Sequence, residues 1–159
     1  MEKPASHLIG AAIGAVWAVL VVWVPSQGPQ PFIPINLALI YAFVPGGLVM
    51  LLIILRQASR GVLGDATEPG AKQSLGATID RRVLSGTVEQ MVLALLLWPF
   101  AMTSLGAVTV IVMGLAMGFA RLAFWIGSHV SPQLRLFGWA ASFFPTVLAT
   151  VWALWKLLT

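Results

Sequence analysis

Val83–Met102 reads VLSGTVEQMVLALLLWPFAM, and Val108–Ile126 reads VTVIVMGLAMGFARLAFWI. Each run approaches the roughly 20 predominantly apolar residues that a bilayer-spanning helix needs. Each holds a single ionisable residue, Glu89 in the first and Arg121 in the second. A charge at membrane depth costs about 2.5–3.5 kcal/mol on insertion scales unless it is paired or lines a polar cavity. Glu89 and Arg121 therefore mark either an internal ion pair or a ligand site.

The whole chain has the same character. Of its 159 residues, 59% are hydrophobic and 9% charged, with a mean hydropathy of +0.94. Soluble domains carry about 25% charged residues, so this composition is that of an integral membrane protein. There is no cysteine, which excludes a disulfide, a protein thiolate nucleophile and a cysteine metal site. The net charge of +4 does not indicate nucleic-acid binding, because most of the basic residues flank apolar segments. That is the topology pattern of membrane proteins.

No Asp, Glu, Lys or Arg occurs between Lys3 and Arg56. The turn-forming stretch Ser26-Gln27-Gly28-Pro29-Gln30-Pro31 divides this region into two spans. The expected helices are His7–Val24, Ile33–Leu55, Ile79–Met102, Ala107–Gly127 and Leu134–Leu158. A kink is expected at Pro45-Gly46-Gly47. A polar, Gly-containing loop is expected over Arg56–Asp80. The first helix lacks a small-x-small cleavage site, so it reads as a retained span and not a signal peptide. With five spans, Lys3, Arg56, Arg60, Lys72, Arg81, Arg82 and Arg135 fall on one side and Lys156 on the other. The basic side is expected to be cytoplasmic. The expectation is a multi-pass protein with a cytoplasmic N-terminus, placed in a bacterial inner membrane.

On the third helix Arg82, Gly86 and Glu89 share one face, and on the fourth Arg121, Phe124, Trp125 and Ser128 do so. Thr103-Ser104-Leu105-Gly106 is too short a turn to separate these helices, so they are antiparallel neighbours. Glu89 lies about 10 Å along the helix from Arg82, which matches the depth of Arg121. Arg135 opens the last helix at the same surface. The bland reading is a structural Glu89–Arg121 pair with interfacial arginine anchors. The functional reading is an arginine-rich pocket for a small anion with several carboxylates, which arginine grips bidentately.

Arg82-Val83-Leu84-Ser85-Gly86-Thr87-Val88-Glu89 resembles the R-x-x-x-N-x-x-E signature of the MAPEG family, the membrane-associated proteins of eicosanoid and glutathione metabolism. Phe119-Ala120-Arg121-Leu122-Ala123-Phe124-Trp125-Ile126-Gly127, followed by Arg135, resembles that family's second signature. The two motifs are in register on successive helices. The resemblance implies a four-helix bundle over residues 31–159, preceded by an extra transmembrane helix over residues 1–30. It implies a homotrimer that binds glutathione as co-substrate between protomers, near the cytoplasmic side. Arg82, Gly86, Glu89, Arg121, Phe124 and Ser128 match glutathione-binding positions, and Arg135 matches the arginine that stabilises the thiolate. Arg56 or Arg60 matches a further binding arginine. Gly86 stands where the family has Asn, and Phe124 and Ser128 stand where it has tyrosines.

Three functions follow as expectations. The first is a glutathione-dependent transferase or peroxidase acting on lipophilic electrophiles drawn from membrane lipid. The second is a non-catalytic lipid-binding or scaffolding protein of the same fold. The third is a small helical transporter, which an intramembrane Glu89 permits. Other features read as structural. Gly10-x-x-x-Gly14 and Gly114-x-x-x-Gly118 allow close helix approach. Trp17, Trp23, Trp98, Trp139, Trp152 and Trp155 read as interfacial anchors, whereas Trp125 sits on the arginine face. His7 and His129 form no metal site, although His129 beside Ser128 is placed for proton transfer.

Overall fold

The computed structural model describes residues 4–63 and 74–159. Five helices make up nearly all of them: α1 (Pro4–Gln27), α2 (Ile35–Leu63), α3 (Leu75–Leu105), α4 (Ala107–Val130) and α5 (Pro132–Leu158). No strand occurs among the described residues. All five helices are long and apolar enough to cross a membrane.

Contacts between helix ends fix an up-and-down arrangement. Gly10 of α1 packs against Gln133 and Phe137 of α5, and Gly127 of α4 packs against Leu134 and Arg135. Arg60 of α2 and His129 of α4 both reach Asp80 of α3. At the opposite end, Gln30 reaches the start of α4 and Lys156 reaches Ser104. The first end carries Arg56, Arg60, Arg81, Arg82 and Arg135; among the described residues Lys156 is the basic group of the other. Lys3 and Lys72 lie outside the described residues.

Helices α2, α3, α5 and α4 close a ring of neighbours, with α3 also touching α4, and α1 lies outside this ring against α5 and α4. Small residues set the spacing, as expected where lipid removes the hydrophobic drive for helix association. A Cβ on Gly14 would meet Ala140 and Ala141 of α5, and one on Gly114 would meet the Ala42 backbone of α2. The larger core cluster is alanine-rich around Trp98, Val110, Met113 and Met117. Trp98 is 1% exposed, donates to the Thr146 hydroxyl at 3.1 Å and stacks on Phe43. It is a core residue, and the anchor role expected for it does not hold.

Two expected boundaries move by a full turn or more. Helix α2 continues to Leu63 instead of ending near Leu55, running through Pro45-Gly46-Gly47 as one helix. Helix α3 begins at Leu75, where the Ser74 hydroxyl accepts from the Ala77 N–H. The polar ends stay helical because Arg56 and Arg60, one turn apart, meet Asp80 on α3. The α3–α4 turn is Gly106 alone, with φ +88°, a conformation that disfavours any residue with a Cβ. The Gln30 side chain clips this turn to the α1–α2 linker. Its amide donates to the Pro25 carbonyl and its oxygen accepts from the Val108 N–H, one of the unpaired donors at the start of α4.

Candidate functional site

Helix α3 turns Asp80, Val83, Thr87, Gln90, Ala94, Trp98, Ala101 and Leu105 inward, a three-and-four spacing that defines one helix face. Arg82, Ser85 and Glu89 therefore lie off that face, exposed. There they line a groove of about 510 Å³ together with Thr78, Arg81, Gly86, Phe124 of α4 and Trp139 of α5. Four of the seven residues expected at the site, Arg82, Gly86, Glu89 and Phe124, thus converge on one depression, and Arg81 adds a second guanidinium to its wall. Glu89 accepts from the Ser85 hydroxyl at 3.3 Å. Gly86 has nothing within 4 Å of its Cβ position, which leaves the groove wall open beside Glu89.

The other three expected residues are placed differently. Arg121 is fully buried, and its Nη2 donates to the Ser142 hydroxyl of α5 at 2.8 Å. Its guanidinium lies 5.1 Å from the centre of the Phe124 ring. Its Nε and Nη1 have no hydrogen-bond partner. Arg121 does not form an ion pair with Glu89; the two charges act on one another only at longer range. The rotation of α3 carries Glu89 outward, while α4 carries Arg121 into the seam with α5. Ser128 donates to the Phe124 carbonyl of its own helix at 2.7 Å, so its hydroxyl proton is already engaged. Arg135 is exposed in the first turn of α5, one turn before Trp139 on the same face, and does not line the groove.

On the inner side of α3 stands a second polar centre. Asp80 is fully buried and gathers groups from α2 and α4. Its Oδ1 accepts from the Trp125 indole at 2.8 Å and meets His129 Nε2 at 2.8 Å. Its Oδ2 lies 3.0 Å from Arg60 Nη1 and 3.5 Å from Arg56 Nε. The Arg60 contact is ionic and poorly aligned, since neither atom makes a hydrogen bond through it. The Arg60 guanidinium fits under α3 because Gly76 has no side chain; a Cβ there would lie 3.1 Å from Nη2. Arg56 also covers the Trp125 ring at 5.4 Å.

Three expectations change here. Trp125 belongs to the Asp80 centre and not to the Arg121 face, His129 is paired with Asp80, and Asp80, expected at the boundary of the polar loop, is a buried residue inside α3. The signal for this centre was present in the sequence. Asp80 is in phase with Val83, Thr87 and Gln90; Trp125 and His129 are one turn apart, as are Arg56 and Arg60.

The described residues contain no group of three or more His, Asp and Glu placed to hold a metal ion. Compared with protein-family models, curated proteins and solved structures, the chain matches none.

Proposed function

We propose that this protein is a membrane-embedded glutathione-dependent transferase or peroxidase acting on lipophilic electrophiles, built as a MAPEG-like homotrimer with its basic end in the cytoplasm. The observation that carries the reading is the groove itself. It places Arg81, Arg82 and Glu89 side by side on an exposed face of α3. Glutathione offers the complementary set: two carboxylates for the arginines and one ammonium for Glu89. The groove volume falls in the range of about 300–1,000 Å³ common for small-molecule sites. An exposed Glu89 facing hydrocarbon is unfavourable by several kcal/mol. Covering this face with a second protomer and a polar ligand removes that penalty, which supports a site between protomers.

In this reading the groove's open side admits the apolar substrate from the bilayer, and proximity to the held thiol supplies much of the rate gain. Arg135, one turn above Trp139, is the cation nearest in sequence to the groove mouth that remains to stabilise a thiolate. A free thiol has a pKa of about 8.5, which a neighbouring cation lowers.

The experiment is glutathione binding to purified protein, read by thermal stabilisation and by ultraviolet thiolate absorbance at neutral pH. Wild type should be stabilised and show thiolate. Arg135→Ala should raise the bound thiol's pKa by about one unit while binding is largely kept through Arg81 and Arg82. Binding only as the neutral thiol, or none, would remove the enzyme reading. It would favour a non-catalytic lipid-binding or scaffolding protein of the same fold. One observation already leans that way: Arg121, Ser128 and Arg135 do not line the groove.

A further inference from the structure

The α2–α4 face carries a second, unassigned groove. It has a volume of about 400 Å³ and is lined by Pro45, Leu48, Val49 and Leu52 of α2 and by Leu115, Gly118, Phe119 and Leu122 of α4. Gly118 forms its floor by letting α4 approach Pro45 closely. Every lining residue is apolar, and the groove runs along the helices toward the basic end.

What stands at that end gives the groove a chemical identity. One turn beyond Leu52 on α2 is Arg56, and one turn beyond Leu122 on α4 is Trp125. Arg56 lies over the Trp125 ring, and its side chain is 42% exposed although its Nε contacts Asp80. Arg60 follows one turn further, and the His129 side chain is 22% exposed beside it. Among the described residues, two arginines against the single carboxylate of Asp80 leave one formal positive charge at the mouth. An apolar slot that ends in an arginine, an indole and a surplus positive charge has the form of a lipid: acyl chain below, anionic headgroup above. Basic pockets between helices on the cytoplasmic side take anionic headgroups in this way.

We propose that the α2–α4 groove binds one anionic phospholipid of the basic-side leaflet. Its acyl chain lies along Leu52, Gly118, Phe119 and Leu122, and its phosphate accepts from the Arg56 guanidinium. The Asp80 centre holds Arg56 and Arg60 in place for this contact. The site lies on the α2–α4 face, apart from the groove that α3, α4 and α5 form, and does not depend on glutathione binding.

The test is native mass spectrometry of detergent-purified protein titrated with phosphatidylglycerol or phosphatidylcholine of identical chains. Wild type should bind phosphatidylglycerol several-fold more tightly. Arg56→Gln should reduce that preference about fivefold, the worth of one arginine at a membrane surface, while phosphatidylcholine adducts stay unchanged. Arg56→Lys, which keeps the charge, should retain most of the preference, and Lys156→Gln at the opposite end should retain all of it. Leu115→Trp, which fills the slot, should weaken both lipids together. Equal binding of the two lipids by wild type, or a preference untouched by Arg56→Gln, overturns the proposal. Adducts confined to free monomer and missing from the assembled oligomer overturn it too, because a second copy of the chain then covers this face.

Discussion

Removing the Asp80 carboxylate should be among the most damaging single changes in this protein. Asp80 is fully buried and receives two hydrogen bonds of 2.8 Å, from Trp125 and His129, on helix α4. Hydrogen bonds to a charged group contribute about 1.5–3 kcal/mol each. Arg60 and Arg56 add ionic contacts at 3.0 and 3.5 Å, but their side chains are 24% and 42% exposed. Solvent screening limits such contacts to about 0–1 kcal/mol each. Asp80→Ala should therefore lower stability by about 4 kcal/mol, within the range of about 3–5 kcal/mol for breaking a buried ion pair. Asp80→Asn keeps the shape and one acceptor oxygen for the Trp125 indole, and should lose about half as much. Equilibrium unfolding in mixed micelles, followed by circular dichroism, measures both. The Asp80→Ala and Trp125→Phe double change should be less than additive by at least 0.5 kcal/mol, because each removes the same bond. A loss under about 1 kcal/mol for Asp80→Ala, or strict additivity with Trp125→Phe, would refute the view that Asp80 ties three helices together.

Further outcomes follow from the packing. Arg121→Met replaces a buried guanidinium that has two unpartnered nitrogens, so it should change stability by less than about 1 kcal/mol; combined with Glu89→Gln in an unfolding titration, the effects should simply add. Gly14→Leu collides with Ala140 and the α5 backbone and should cost about 1–3 kcal/mol, whereas Gly47→Ala meets open space and should stabilise the helix by about 0.5–1 kcal/mol in the same measurement. Single cysteines introduced at Gly28 and Gln133 of this cysteine-free chain should react with an impermeant reagent from opposite sides of the membrane, and labelling of both from one side would exclude the up-and-down arrangement.

How much of this was legible in the residues themselves depends on the quantity asked for. Hydrocarbon accepts only helices of a narrow length range whose backbone is internally bonded. The runs around Val83–Met102 and Val108–Ile126 therefore dictated their own helices, and five spans could be read from apolar length and turn residues. The Gly106 turn, the glycine pairs at Gly10 and Gly14 and at Gly114 and Gly118, and the clustering of arginines at one end were equally readable, because each is a local property of the chain. The rise per residue also led to the expectation that Glu89 and Arg121 share one level. Rotation was not readable. Whether Glu89 faces Arg121 or the outside depends on which stripe of α3 packs inward, and that is settled by Val83, Thr87, Gln90, Ala94 and Trp98 meeting the other helices together. The same rotation put Trp98 into the core and Asp80, expected at the boundary of loop and helix, into the junction of α2, α3 and α4, while the packing of α4 on α5 turned Arg121 toward Ser142. Apolar length and periodicity decide where a helix runs; only the simultaneous packing of all five decides which side chains meet.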